Sequence, residues 1–172
     1  CIDDLGRRST QVVDIGGLVE GASTGEGLGN KFLANIREVD AIVFVLRAFE
    51  DDDVVGPSDP IEHLRIVEIE LALADLETVE KRLKQTQRAA KLDKSMVAET
   101  EALQIAYDQL SEGLPLYRAG LKDDVKELLA PYFLLTNRRV LVVVNVGEDD
   151  IESIPEKEKL ISDEFNNAGD NV

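Results

Sequence analysis

The chain has 172 residues, of which 44% are apolar, a size that fits one ordinary domain or one domain with an inserted element. No window approaches the roughly 18 consecutive apolar residues of a membrane span, and the single cysteine excludes an internal disulfide and a multi-cysteine metal site. The net charge of −16 argues against nonspecific binding of nucleic acid phosphates, and so against direct DNA binding, by this chain alone, although it does not exclude a local basic patch. With one cysteine, a reducing, cytoplasmic location is the simplest interpretation.

The N-terminal part predicts a strand, a glycine-rich loop and a helix. Residues 10–15 form a short apolar run that ends near Asp14. Glycine then recurs through residues 16–29, a density that lets backbone amides approach a phosphate closely. Apolar residues at helical spacing follow over residues 26–40. The phosphate-cradling motif G-x-x-x-x-G-K-[ST] does not occur in the chain, so this stretch supplies at most part of a phosphate site.

Two apolar runs, residues 41–49 and 138–146, are rich in β-branched residues and predict strands buried on both faces. Strands of this kind with intervening helices indicate an α/β fold with a parallel sheet. A last surface helix is predicted to begin at Pro155, because proline suits the first turn of a helix.

The chain from Pro60 to Glu112 is strongly helical between those strands. Apolar residues on its first segment follow alternating three- and four-residue steps, and a second segment repeats this spacing after the polar link at residues 89–95. The predicted contact positions are Ile66, Ile69, Leu73, Leu76 and Leu83, then Met96, Leu103 and Leu110. The pattern favours a projecting antiparallel hairpin of coiled-coil type. Two amphipathic helices lying on the sheet are the alternative.

Two motifs follow strand ends. Asp14 and Gly17 form a D-x-x-G, in which an acid can hold the water shell of Mg²⁺ and a glycine amide can reach a terminal phosphate. A tight turn leaving the sheet explains the same residues equally well. Asn145 and Glu148 lie after the last apolar strand, at the edge where open parallel sheets bind ligands. Their spacing is similar to that of the base-reading N-K-x-D, with Val146 in place of lysine, and an ordinary strand-exit turn is the alternative.

The wording of three segments resembles the YchF family, the Obg-like ATPases of the P-loop GTPase class. These segments are DIGGLVEGASTGEGLGNKFLANIREVDAI at residues 14–42, ELALADLETVEKRL at residues 70–83 and NVGEDD at residues 145–150. The resemblance implies a P-loop nucleotide-binding domain with an inserted helical hairpin, followed by a C-terminal TGS domain. It also implies that the P-loop precedes residue 1 and that the TGS domain follows residue 172, so we expect an internal fragment.

The resemblance further implies hydrolysis of ATP, or of GTP, with Mg²⁺, and association with ribosomes. On this basis we expect Asp14 to hold Mg²⁺ through water and Gly16 and Gly17 to lie at the terminal phosphate. The base pocket would be lined by Asn145, Val146 and Glu148. The predicted divisions are a partial nucleotide-binding domain at residues 1–60, the inserted hairpin at 61–112 and the rest of the nucleotide-binding domain at 113–172. A noncatalytic module that binds a ribosome or a protein through the hairpin is the rival interpretation.

The remaining polar residues favour unremarkable roles. His63 is the only histidine and is expected to be a solvated side chain rather than a ligand or a base. The acidic run at residues 51–53 is expected to be a solvated loop, because no further acids have the spacing of a calcium-binding loop.

Overall fold

A computed structural model describes residues 12, 39–49 and 59–166, without the side chains of residues 148, 149, 165 and 166. The described elements are β1 (Ala41–Arg47), α1 (Pro60–Ala90), α2 (Val97–Ser111), α3 (Asp123–Leu129), β2 (Arg139–Asn145) and α4 (Ile154–Asn166). The first predicted strand, apart from Val12, and the glycine-rich loop lie outside the described residues. So does the predicted helix up to residue 38, and its last two residues, Val39 and Asp40, are not helical.

β1 and β2 form a parallel pair, as predicted, with register from Ala41 opposite Arg139 to Arg47 opposite Asn145. The prediction that both faces are buried is wrong for the described residues. Ile42, Phe44 and Leu46 are buried, whereas the alternate side chains Val43 and Val45 remain 51% and 61% exposed. The buried side chains share one core with residues of α1 and α4, so the described helices cover a single face of the pair.

Helix α1 begins at a well-formed cap and is long enough to serve two cores. The Asp59 carboxylate accepts hydrogen bonds from the backbone N–H groups of Ile61 and Glu62, and Pro60 occupies the first turn. The first half of α1 packs on the sheet through Leu64, Val67 and Leu71. Its second half belongs to a separate cluster with α2.

Helices α1 and α2 form the predicted antiparallel pair, joined by a turn over residues 91–96. Val79 and Leu83 of α1 pack in one cluster with Leu103 and Leu110 of α2. Gly113 ends α2 with a φ of +76°, a conformation that side chains rarely adopt, and the following N–H of Leu114 bonds the Gln109 carbonyl. Both sequence-based alternatives are therefore partly right, since α1 lies on the sheet over its first half and pairs with α2 over its second.

The predicted contact positions on α1 are wrong in its first half. Ile69 and Leu73 are 51% and 48% exposed, while Glu68 is buried. The cause is a buried partner for that acid: Glu68 Oε1 accepts hydrogen bonds from the Tyr117 hydroxyl at 2.6 Å and from Arg118 Nε at 2.7 Å. Burial raises the pKa of the Glu68 carboxyl above its usual range, and the bonds from Tyr117 and Arg118 oppose that rise.

Asp75 is a second buried acid on the same face of α1, with no exposed surface. Its carboxylate accepts hydrogen bonds from the backbone N–H groups of Leu135 at 2.8 Å and Thr136 at 2.7 Å, and from the Thr136 hydroxyl at 2.7 Å. These donors begin a short 3₁₀ turn at residues 135–137, directly before β2. Asp75 therefore caps the segment that leads the chain from the helices into the second strand.

Helix α4 packs beside α1 and is fixed by arginines. Arg118 donates from Nη1 to the Glu164 carbonyl at 3.0 Å, and Arg65 makes two hydrogen bonds to the Glu164 carboxylate. Ile161 places an apolar side chain of α4 in the core above the sheet. Among the helices of the described ranges, none has the length and apolar character needed to cross a membrane.

Candidate functional site

The candidate site is the edge of the sheet where β1 and β2 both end. Because the strands are parallel and Arg47 lies opposite Asn145, the segments after them leave at the same edge. The Ala48 N–H continues the ladder by donating to the Asn145 carbonyl at 2.8 Å. Asn145 is exposed, and the next residue, Val146, is half-buried. An amide side chain is therefore available to a ligand at the carboxyl edge.

The loop after β2 turns back over the segment after β1. The Asp150 N–H donates to the Gly147 carbonyl at 3.0 Å, and the Ser153 hydroxyl donates to the Asp150 carbonyl at 2.7 Å. The backbone of Gly147 is extended, a conformation that other residues can also adopt. Glycine is therefore favoured here by the limited space around it and not by its backbone angles. A Cβ there would lie 3.4 Å from the Cβ of Phe49, at the tight limit of ordinary contact. Phe49 therefore lies close to the loop at Gly147.

Lys157, on α4, links both strand ends. Its Nζ donates to the Ala48 carbonyl at 2.7 Å and to the Asp150 carboxylate at 3.2 Å. The N–H of the same residue, Ala48, donates to the Asn145 carbonyl, so Lys157 joins the end of β1, the loop after β2 and the first turn of α4. The side chain of Lys157 is only 25% exposed, which favours a persistent contact over a surface ion pair. We call this arrangement, Ala48, Asn145, Asp150 and Lys157, the loop latch.

An open cleft of about 1080 Å³ lies beside the loop latch, between the start of α1 and α4. Its lining includes five acids and two lysines. These residues are Asp59, Asp150, Glu156, Asp163 and Glu164, with Lys157 and Lys159. The excess of negative charge repels a polyphosphate, so this cleft does not supply a phosphate cradle.

The structure describes half of the predicted site. Asn145 and Val146 lie at the carboxyl edge as expected, and the backbone of Glu148 begins a 3₁₀ turn at residues 148–153. The side chain of Glu148 lies outside the described part of the chain, as do Asp14, Gly16 and Gly17. Within that described part, no group of three or more His, Cys, Asp or Glu could hold a metal ion. The Mg²⁺ prediction for Asp14 stays a prediction.

The expectation that His63 is a solvated side chain is wrong in part. His63 is half-buried at the start of α1, and its Nδ1 is buried without a hydrogen-bond partner among the described residues. Burial lowers the pKa of the imidazole below its usual value, and the charge of Arg47 lowers it further. The acidic run at residues 51–53 lies outside the described residues.

Sequence reasoning missed Lys157 and Phe49. Nothing in the local pattern of α4 separates Lys157 from the neighbouring lysine at 159, because only the fold brings the Ala48 carbonyl to it. Phe49 could have been noticed, because it is an aromatic residue directly beyond a strand end. Its partner Gly147 is far away in sequence.

Comparisons with known proteins match most of the chain to one family. Residues 2–146 match the model of a family described as 50S ribosome-binding GTPase. The ribosome-binding ATPase YchF of Bacillus subtilis (strain 168) is 40% identical over 166 residues, which cover 94% of this chain and 45% of that protein. The ribosome-binding ATPase YchF of Haemophilus influenzae is 42% identical over 149 residues, covering 84% of this chain and 41% of that protein.

A solved structure is also similar. The YchF GTPase of Schizosaccharomyces pombe superposes with a TM-score of 0.67 at 36% identity, covering 87% of this chain and 43% of that one. The predicted α/β fold with its parallel sheet is thereby confirmed as that of a GTPase domain. The chain spans less than half the length of the relatives it matches. With a family model across residues 2–146 and relatives near 40% identity, the chain belongs to the YchF family of P-loop GTPase-class proteins.

Proposed function

We propose that the complete protein binds and hydrolyses ATP, or alternatively GTP, with Mg²⁺, and that it acts on ribosomes in the cytoplasm. The supporting observation is the parallel register that brings Asn145 to the carboxyl edge beside the end of β1, where sheets of this class bind ligands. The relatives called ribosome-binding ATPases support the same activity and partner.

In this proposal the base lies against Asn145, Val146 and Glu148. The exposed Asn145 amide can both donate and accept, so it can read the edge of a base. The loop latch contributes by holding the segment after β2 against the end of β1, which lowers the cost of ordering the loop on binding. Asp14 would hold Mg²⁺ through water, and Gly16 and Gly17 would approach the terminal phosphate. Mg²⁺ would there neutralise developing charge on the phosphates.

We propose ATP as the preferred nucleotide. Guanine offers two donors, N1–H and the 2-amino group, to the aspartate of the N-K-x-D motif. This chain has Glu148 in place of that aspartate and Val146 in place of the lysine. A site built for particular hydrogen bonds loses about 1–3 kcal/mol for each buried group left unpaired. The guanine match is therefore weakened.

Calorimetric titration of the complete protein with ATP, in Mg²⁺ and in EDTA, tests the activity. Saturable, Mg²⁺-dependent binding and turnover support the proposal, whereas no binding with intact capture of ribosomes would favour the noncatalytic module. Asn145→Ala should weaken ATP binding but leave binding of inorganic tripolyphosphate unchanged, because tripolyphosphate has no base. Competition between ATP and GTP measures the preference, and tighter GTP binding would overturn the base-pocket assignment.

A further inference from the structure

The tip of the helical pair carries a basic surface in an otherwise acidic protein. Residues 81–94, here called the basic tip, contain six basic residues and one acid, a net charge of +5. The whole chain carries −16, so the residues outside the basic tip carry −21. The basic residues are Lys81, Arg82, Lys84, Arg88, Lys91 and Lys94, and all are exposed. The overall composition therefore conceals a strong local reversal of charge.

Three of these cations line one groove. Lys84, Arg88 and Lys91 follow i, i+4 and i+7 spacing, which puts them on one face of α1 and of the turn after it. The groove has a volume of about 540 Å³, and neutral residues complete its lining, among them Gln87 of α1 and Thr100 of α2. Successive cations are separated by a rise of about 4.5–6 Å along the helix axis. The groove thus offers a row of charges rather than a single one.

The cations of the groove are largely uncommitted. Arg88 and Lys91 form no ion pair with the described residues, and Lys84 makes one exposed contact with Glu80 that water weakens. The acid within the basic tip, Asp93, is held by the backbone N–H and hydroxyl of Ser95, and these bonds lower the pKa of its carboxyl. The Asp93 carboxylate is therefore hydrogen-bonded within the turn. Its single negative charge offsets one of the six positive charges of the basic tip.

Helix stability does not account for the row. Cations in the last turn of a helix interact favourably with its dipole, which explains Arg88 and Lys91 individually. Like charges at i, i+4 repel by a few tenths of a kcal/mol, and Lys84 lies nearly two turns before the helix end. Exposed cations placed against each other in this way fit a polyanionic partner.

We propose that the basic tip binds the phosphate backbone of RNA on the ribosome. This inference rests on the proposed function, which makes the ribosome the partner. A long polyanion lying along the body of the protein would meet a charge of −21, so contact is confined to the tip. The groove lining contains no aromatic residue for base stacking. Binding is therefore made through phosphates and is independent of base sequence.

Co-sedimentation of the complete protein with purified ribosomes over a range of salt concentrations tests the proposal. The variant is Arg88→Gln with Lys91→Gln, and the matched control is Arg139→Gln with Lys122→Gln, which makes the same charge change at exposed positions outside the basic tip. Two lost phosphate contacts should reduce the slope of log K against log salt by about 1.4–1.8, which corresponds to a roughly 25- to 60-fold weaker affinity near 0.1 M salt. The control should keep the wild-type affinity, apart from a small nonlocal effect.

Hydroxyl-radical footprinting of the ribosomal RNA identifies the chemistry of the partner. Wild type and control should protect a patch of RNA backbone that the Arg88/Lys91 variant exposes again. Loss of affinity without any change in RNA protection would indicate an acidic protein surface and overturn the proposal. Equal affinities of variant and control for ribosomes would overturn it as well.

A parallel ATP titration keeps the two proposals separate. All three proteins should bind ATP equally, because the basic tip lies far along α1 from the sheet edge. Wild type that fails to bind ATP would refute the proposed nucleotide function, whatever the ribosome result. Wild type that binds ATP but no ribosomes would refute the ribosome association and the basic-tip proposal together.

Discussion

Asp75→Asn offers a sharp test of how the helices determine the entry into β2. The wild-type carboxylate accepts three hydrogen bonds, from Leu135 and Thr136, and has no exposed surface. Asparagine keeps the shape but replaces one acceptor by an N–H₂ donor. If its oxygen faces Thr136, the amide group points at the Leu135 N–H; in the other orientation it points at the Thr136 N–H.

Either orientation leaves one buried backbone donor facing another donor. An unsatisfied buried group costs about 1–3 kcal/mol, and the remaining bonds lose the strength that a charged acceptor gives. We therefore expect Asp75→Asn to lower the free energy of unfolding by about 2–4 kcal/mol. Asp75→Ala removes both acceptor oxygens, and with them all three hydrogen bonds, and should cost more.

Urea unfolding of the chain, followed by far-UV circular dichroism, measures the change. Glu77→Gln is the matched control, because Glu77 is exposed on the same helix and loses the same charge. Hydrogen exchange gives a local readout: the amides of Leu135 and Thr136 should lose protection more than those of α2. A stability of Asp75→Asn within about 0.5 kcal/mol of Glu77→Gln would refute the reasoning, because exposed substitutions vary by that amount.

Three further perturbations follow from the described contacts. Lys157→Met breaks the loop latch, and we expect about tenfold weaker ATP binding by the complete protein, about 1.4 kcal/mol, with unchanged tripolyphosphate binding; an equal loss for both ligands would contradict a role at the base. Arg118→Leu leaves Glu68 buried without its ion-pair partner and should lower unfolding free energy by about 3–5 kcal/mol, whereas the exposed control Arg88→Leu should change it little. Burial lowers the pKa of His63 in the folded protein, so the unfolded state takes up a proton first as the pH falls. The neutral imidazole therefore contributes stability that is present above the unfolded pKa of 6.5 and is lost as the pH falls below that value. The stability difference between wild type and His63→Gln should therefore shrink from pH 7 to 5 in urea unfolding, and a constant difference would show that the imidazole titrates normally.

The sequence by itself determined the parts of this protein that depend on local pattern. The β-branched runs predicted both described strands to within two residues, because side-chain shape and continuous apolar character act locally. The helical spacing, the polar link and Pro60 predicted the helical pair in the same way. The wording of residues 14–42, 70–83 and 145–150 together indicated the family, and the comparisons confirm the family. The position of Asn145 after the last strand predicted a site at the carboxyl edge, which stays a prediction.

Only the tertiary structure decided which face of α1 is buried. The sequence periodicity predicted Ile69 and Leu73 as contact positions, because a local pattern assigns acidic residues to the solvent-facing side of a helix. The fold instead buries Glu68 and Asp75, since partners about 50 to 60 residues away supply the hydrogen bonds that make burial of an acid tolerable. The loop latch has the same origin: Lys157 reaches the Ala48 carbonyl across 109 positions of sequence. Interactions of that range depend on the path of the whole chain, and no local spacing encodes them.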